Sequence, residues 1–200
     1  MIKAICFDLD GVFFTDAGFR RFKEEIMNRG VAKADVDYIL HEEPMEIFKR
    51  GEIDPDQFWQ NAVEYWKIQT PIHEIIHLIP QGYEINPSVK EVIDSVREAG
   101  YVTCVCSNNF VTRVEALEER FGFLEHFDAA VFSYEVGVLK PDAKIFQELI
   151  TRAGVEPQEL AYSDDNESKL SGAKELGINA FVYQDFDQFV QELRWLGVEV

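Results

Sequence analysis

The hydrophobic positions of the chain form two kinds of pattern. Residues 3–7 make a short apolar run at the start of the chain, which predicts a buried strand. From about residue 17 to residue 82, apolar residues instead recur three or four positions apart, and breaks fall at Gly and Pro residues. Asp54 and Pro55 form a typical helix start, with Asp as N-cap and Pro in the first turn. The pattern therefore predicts an all-helical segment over residues 17–82.

After residue 83, strand-like and helix-like patterns alternate. Helices are predicted near 87–99, 110–121, 142–153, 167–176 and 186–196, and strands at 101–106, 129–132, 160–162 and 179–183. Repeated strand–helix units build a parallel sheet that helices cover on both faces. We expect an α/β fold with a Rossmann-like sheet, formed by residues 1–16 and 83–200, and a helical insertion (17–82) after the first strand.

Composition and charge narrow the classes of function. A formal net charge of −18 makes non-specific binding to nucleic acid or to anionic membranes unfavourable. No apolar run reaches the roughly 18 residues that a membrane span needs. The three cysteines are too few and too scattered for a disulfide framework, and Met1 leads directly into a strand rather than into a signal peptide. We expect a cytoplasmic protein whose anionic ligands would need a local positive site.

Polar residues that could carry chemistry follow the predicted strands. In an open parallel sheet, ligands bind beyond the carboxyl ends of the strands, so side chains from these ends should meet. The candidates, in strand order, are Asp8 and Asp10, Ser107 and Asn108, Lys140, and Asp164 and Asp165. Clustered carboxylates suit a hard cation such as Mg²⁺, and a lysine beside them suits a phosphate group.

Asp8 and Asp10 stand two positions apart, which places them on one face if the strand continues. Repulsion between the two carboxylates should move their pKa values apart, so that one remains ionised and the other holds a proton. Such a pair can serve as a nucleophile and a general acid. An aspartate that attacks phosphorus forms an aspartyl-phosphate, which divides one difficult displacement into two easier ones.

Four segments resemble the motifs of the haloacid dehalogenase (HAD) superfamily, in order and at fitting spacings. They are FDLDGV, SNN, GVLKPDAKIF and SDDNESKLSGAKELGI. The helical insertion is similar to the helical cap of the branch that contains epoxide-hydrolase-like phosphatases, as is the segment FKRGEIDPDQFW. The resemblance covers the α/β core along most of its length.

The resemblance implies a role for each motif residue. Asp8 matches the nucleophile, and Asp10 matches the general acid and base, with its backbone carbonyl at a metal-ligand position. Ser107 and Asn108 match the phosphate-binding pair, and Lys140 matches the lysine that holds nucleophile and phosphate together. The family's true dehalogenases lack an acid at the position of Asp10, so its presence favours phosphoryl chemistry.

The resemblance also implies a Mg²⁺ site and reveals one departure from the family pattern. Asp165 matches the main acidic metal ligand, and Asp164 is a second acid beside it. Many members carry a further acid about four residues after the position of Asp165, where this chain has Lys169. The metal shell would then rest on Asp8, Asp165 and water, together with the carbonyl of Asp10, and Asp164 or Asn166 would assist.

A competing motif lies in the helical insertion. The segment His73-Glu74-Ile75-Ile76-His77 matches the zinc-binding pattern H-E-x-x-H. A zinc site needs a third protein ligand, and Pro80 stands where the longer form of the motif requires glycine. Because isoleucines recur at helical spacing through this segment, we expect one buried helix face with the histidines on its polar side.

The sequence leaves several functions open. The first is a Mg²⁺-dependent phosphatase of a small phosphorylated metabolite, and a close variant is a phosphosugar mutase in which a sugar hydroxyl replaces water. The second is a non-catalytic binding or regulatory protein on the same fold, against which Asp8, Asp10 and Lys140 argue. The third is a zinc hydrolase built on the histidine motif.

Overall fold

The computed structural model describes residues 1–15 and 19–200, and their strands form one parallel sheet. The strands are β1 (Ala4–Phe7), β2 (Val102–Ser107), β3 (Ala129–Phe132), β4 (Leu160–Asp164) and β5 (Asn179–Val182). Their order across the sheet is β3-β2-β1-β4-β5, and every neighbouring pair is parallel. This arrangement confirms the predicted α/β fold. The predicted boundary between core and insertion, at residues 16 and 17, lies outside the described residues.

The helices divide into an insertion after β1 and a set that covers the sheet. The insertion contains α1 (Phe19–Met27), α2 (Lys33–His41), α3 (Glu43–Lys49), α4 (Pro55–Trp66) and α5 (Ile72–Leu78). The later helices are α6 (Pro87–Glu98), α7 (Val111–Phe121), α8 (Ser133–Val136), α9 (Ala143–Ala153), α10 (Ser171–Glu175) and α11 (Phe186–Trp195). The helix predicted over 167–176 is split into a 3₁₀ turn, Glu167–Lys169, and α10.

Both faces of the sheet are buried, as the continuous apolar strands predict. Along β1, Ile5 and Phe7 join the hydrophobic cluster on one face, whereas Ala4 and Cys6 join the cluster on the other. Successive side chains of a strand point to opposite faces, so a strand buried on both sides contains no polar alternation. The three cysteines are free and buried in this core.

A third hydrophobic cluster organises the helical insertion and joins it to the core. Phe110, which precedes α7, packs into this cluster. The buried Trp59 of α4 donates from Nε1 to Oγ1 of Thr112 in α7, at 3.0 Å. Asp54 caps α4 as predicted, since its side chain accepts from the amides of Asp56 and Gln57. The insertion is therefore fixed at α7, the helix that follows the end of β2.

One further carboxylate fixes the start of β2. Asp128, just before β3, accepts from the amide of Thr103 at 2.9 Å and from its hydroxyl at 3.1 Å. Burial raises the pKa of Asp128, but the hydrogen bonds from Thr103 and the charge of Arg97 outweigh it and lower that pKa.

No helix in the described part of the chain has the length and apolar character that a membrane crossing requires.

Candidate active site

Lys140 is the centre of a buried polar cluster at the carboxyl ends of the strands. Its Nζ donates to Asp8 Oδ1 at 3.0 Å, to Asp164 Oδ2 at 2.6 Å and to the hydroxyl of Tyr162 at 2.9 Å. The backbone carbonyl oxygen of Cys106 is a fourth acceptor, 2.9 Å from the same Nζ. The side chains of Lys140 and Asp164 are 0% exposed, and that of Asp8 is 2% exposed.

Electrostatics explains why the lysine remains charged at this depth. Burial alone would lower the pKa of Lys140, but Asp8 and Asp164 raise it above its ordinary value. An ammonium that contacts two carboxylates and two further oxygens has replaced its hydration shell with protein ligands. The cluster therefore holds a fixed positive charge against Asp8.

A pair of hydrogen bonds and a close backbone contact hold the backbone around Lys140. The amide of Lys140 donates to Asn108 Oδ1 at 2.7 Å, and Asn108 Nδ2 donates back to the carbonyl of Lys140 at 3.2 Å. On the other side, Gly172 lies so close that a Cβ there would stand 1.9 Å from the carbonyl oxygen of Pro141. The predicted phosphate ligand Asn108 thus orients the lysine loop with both of its side-chain polar atoms. Ser107, its predicted partner, is buried at the end of β2.

Three carboxylates lie together beside this lysine. Asp8, Asp164 and Asp165 each offer an oxygen, and these atoms all lie within 4.8 Å of one another. Burial, and next the charges of Asp8 and Asp164, raise the pKa of Asp165 to about 6 against the opposing charge of Lys169. Gly11 permits the close approach, since a Cβ on this positive-φ residue would stand 2.7 Å from Asp165 Oδ2.

The environment of Asp8 differs from the one that its spacing to Asp10 suggests. Burial raises the pKa of Asp8 most, Lys140 opposes this effect, and Asp164 raises the pKa further. The charge of Asp10 is the smallest of these influences. The expected repulsion between Asp8 and Asp10 is therefore a minor factor, because Asp10 faces a different partner.

That partner is Arg113, a buried residue of α7. Its Nη2 donates to Asp10 Oδ2, and its guanidinium lies 5.5 Å from the ring centroid of Phe110. The other carboxylate oxygen of Asp10, Oδ1, is buried and has no hydrogen-bond partner among residues 1–15 and 19–200. One oxygen of Asp10 is thus fixed by the arginine, and the other remains available within the site.

Lys169, the departure from the family pattern, lies over the acidic group. Its Nζ is 3.9 Å from Asp8 Oδ2, 3.6 Å from Asp164 Oδ1 and 3.8 Å from Asp165 Oδ1. The side chain is 26% exposed. The lysine therefore acts as a counter-charge to the same three carboxylates that could hold a cation.

Sequence reasoning missed three contributors to this site. Tyr162 could have been found, because it stands two positions before Asp164 on β4 and so shares its face. Arg113 gave no such signal, since 103 positions separate it from the aspartate that it contacts. The sequence indicates Lys169 only as a position where the family's acid is absent. Its contacts with the aspartates depend on the 3₁₀ turn Glu167–Lys169, which the sequence does not predict.

The histidine motif lies elsewhere. It forms α5, where Ile75 is buried while His73, Glu74 and His77 are exposed. Within the described parts of the chain, the group of three or more potential metal-binding side chains is the aspartate cluster, which contains none of the motif residues.

Comparison with known proteins identifies relatives over nearly the whole chain. A sequence model described as "haloacid dehalogenase-like hydrolase" matches residues 2–177. Glyceraldehyde 3-phosphate phosphatase of Methanopyrus kandleri is 26% identical, over 94% of this chain and 88% of its own length. Bifunctional epoxide hydrolase 2 of Mus musculus is 23% identical over 96% of this chain, which spans only 38% of the length of that protein.

A solved structure matches the fold. A HAD family enzyme from Bacteroides thetaiotaomicron, crystallised with magnesium and inorganic phosphate, superimposes with a TM-score of 0.82 at 23% sequence identity. The match covers 94% of this chain and 99% of that one. The likeness therefore extends over the helical insertion as well as the sheet.

Proposed function

The chain belongs to the haloacid dehalogenase-like hydrolases, and from that premise we propose that it is a Mg²⁺-dependent phosphatase of a small phosphorylated metabolite. The observation that carries the proposal is the buried contact of Lys140 with Asp8 and Asp164, beside the exposed carboxylate of Asp165. A phosphatase relative and a neighbour solved with magnesium and phosphate support the same chemistry.

In this proposal, Asp8 is the nucleophile. One of its carboxylate oxygens attacks phosphorus, the new O–P bond forms an aspartyl-phosphate, and the bond between phosphorus and the ester oxygen breaks. Lys140, fixed at 3.0 Å from Asp8 Oδ1, reduces the repulsion between the anionic nucleophile and the anionic phosphate. Ser107, and Asn108 through the lysine loop, complete the proposed phosphate-binding side.

Asp10 is the proposed general acid and base. Its Oδ1 has no partner among the described residues, so this atom can deliver a proton to the departing alcohol. The same oxygen then takes a proton from the water that attacks the aspartyl-phosphate, which releases inorganic phosphate and restores Asp8. Arg113 fixes the other oxygen and so orients the carboxylate during both steps.

The residues present fit a magnesium ion. Asp8, Asp164 and Asp165 form an all-oxygen donor set of the kind that Mg²⁺ prefers, and the backbone carbonyl of Asp10 is a further candidate ligand. Asp164 is the least available of the three, because Lys140, Tyr162 and the amide of Asn166 already donate to its oxygens. Bound there, the ion would neutralise negative charge on the phosphate and the nucleophile.

We further propose that residues 17–82 form a cap domain over this site. Two contacts near the ends of β2 and β3 support this proposal. Trp59 of the insertion donates to Thr112, and Ser133 Oγ lies 2.6 Å from the carbonyl oxygen of Lys49. A cap in this position can exclude bulk water and shape the space for the substrate.

The test is a panel of phosphorylated metabolites and a chromogenic aryl phosphate, assayed with Mg²⁺ or with EDTA. We expect Mg²⁺-dependent release of phosphate that Asp8→Asn abolishes, while the variant keeps the wild-type circular dichroism spectrum. Transfer of the phosphoryl group to a sugar hydroxyl instead of water would indicate the mutase. Turnover that survives Asp8→Asn would contradict the proposal.

A further inference from the structure

A cavity beside the proposed active site is lined mainly by cationic side chains. It measures about 400 Å³, and its positively charged lining residues are Arg20, Lys23, Lys33, Lys49 and Arg113. Among the described residues that line it, Glu24 is the one carboxylate. Such a concentration of positive charge is unexpected in a chain whose net charge is −18.

Neighbouring carboxylates pair with several of these cations. Asp37 accepts from Lys33 and lies 3.5 Å from Lys23, and Asp10 accepts from Arg113. Lys23, Lys33 and Arg113 therefore each have a carboxylate neighbour. Lys49 has no such neighbour among the described residues, so an anionic ligand in the pocket could bind beside it.

Lys49 is the cation of this pocket whose surroundings favour an anion most. Within the described residues, no carboxylate lies within 4.0 Å of its Nζ. Burial, and next the charge of Arg113, lower the pKa of Lys49 to about 8. A cation held in unfavourable surroundings gains more than an exposed one when an anion binds beside it.

The position of the pocket relates it to the reaction. Arg113 lines it and also contacts Asp10, whereas Asp8, Ser107 and Lys140, which would bind the reacting phosphate, are not part of its lining. Lys49 ends α3, where its carbonyl oxygen contacts the buried Ser133 of the core. The pocket thus lies between the insertion and the core, next to the proposed leaving-group side of the site.

We propose that this pocket binds a second anionic group of the substrate, so that the natural substrate is a phosphomonoester which also carries a carboxylate or a second phosphate. The inference rests on the proposed phosphatase function and adds the class of substrate to it. Lys49 contacts the remote anion directly, and Lys23 supplies further positive charge within the same pocket.

Matched substrates test the inference. 3-Phosphoglycerate and glycerol 3-phosphate differ mainly by a carboxylate, and fructose 1,6-bisphosphate and fructose 6-phosphate differ by a phosphate. We expect the wild type to prefer one of the doubly anionic compounds, by kcat/KM, about ten-fold or more over its matched partner. The pair with the larger preference identifies the remote group as carboxylate or phosphate.

Variants locate the effect. Lys49→Gln should reduce that preference about ten-fold, mainly through KM, and Lys49→Arg should restore most of it. Lys67→Gln, which replaces an exposed lysine of the insertion outside the pocket, should leave the preference unchanged. The inference would be overturned if the wild type showed no preference for the doubly anionic substrate, or if Lys49→Gln left that preference intact. In either case, turnover of the aryl phosphate would still support the phosphatase. Absence of turnover on every substrate would overturn both.

Discussion

Replacement of Lys169 by Gln should tighten Mg²⁺ binding. In the structure, the lysine ammonium serves as counter-charge to Asp8, Asp164 and Asp165. A cation that binds to these carboxylates must compete with it. Glutamine has a similar length but no charge, so the substitution removes the competitor and leaves the three ligands in place.

The size of the effect follows from the three distances, which run from 3.6 to 3.9 Å. Two unit charges about 4 Å apart attract by about 1 kcal/mol in water and more in a protein interior. Three such pairs give about 3 kcal/mol, which the partial exposure of Lys169 and the ordering of its side chain reduce. We estimate a net change of about 2 kcal/mol, or about thirty-fold in affinity.

Isothermal titration calorimetry with metal-stripped protein measures this change without any need for turnover. The titration should contain about 150 mM KCl, because salt screens weak association of Mg²⁺ with the acidic surface. Lys174→Gln, which removes an exposed lysine from α10, is the matched control for net charge and should bind as the wild type does. Equal or weaker Mg²⁺ binding in Lys169→Gln would refute the competition between lysine and metal.

Three further predictions test other parts of the molecule. Asp128→Asn should lower the free energy of unfolding by about 1 kcal/mol at neutral pH. Because the pKa of Asp128 is lowered in the folded state, this stabilisation is present above the unfolded pKa of about 4 and lost as the pH falls through the folded value, so urea titrations of the variant and wild type should converge in acid. Thr112→Val leaves the buried indole of Trp59 without its acceptor and should cost about 1 to 3 kcal/mol in denaturant unfolding, whereas Thr112→Ser should cost much less. Replacement of His73 and His77 by Ala should leave Mg²⁺-dependent activity intact, and elemental analysis of purified wild type should find no stoichiometric zinc; loss of activity in these variants would contradict the placement of α5 outside the site.

The sheet could be predicted because each strand is a short apolar run beside a helix of clear periodicity. The strand at 129–132 is predicted at its true bounds, and the other strands differ by one or two residues at one end or at both. The helix predicted at 167–176 is too long. Asn166 caps a separate 3₁₀ turn, and the α-helix α10 begins only at Ser171. Local hydrogen bonds of this kind leave no trace in hydrophobic periodicity.

The position of the candidate site could be predicted from the sequence, but the contacts between its side chains could not. The rule that ligands bind at strand ends brings Asp8, Lys140 and Asp165 together from sequence alone. It does not determine which acid faces which base, because the choice between Asp8 and Asp10 as partner of a given cation depends on the path of a distant helix. Arg113 settles that choice for Asp10, and nothing in its sequence neighbourhood indicates the contact.

The distribution of positive charge connects the site, the pocket and the acidic surface. Seven of the nineteen Lys and Arg residues lie at the aspartate cluster or line the adjacent pocket, namely Arg20, Lys23, Lys33, Lys49, Arg113, Lys140 and Lys169. The remaining surface is strongly anionic, and its repulsion reaches about 8 Å at physiological salt. A compact anion that fits within the cavity is surrounded by these cations, whereas a polyanion too large to enter meets the surface charge as well. We therefore expect the same arrangement that admits a small doubly anionic phosphoester to exclude nucleic acid.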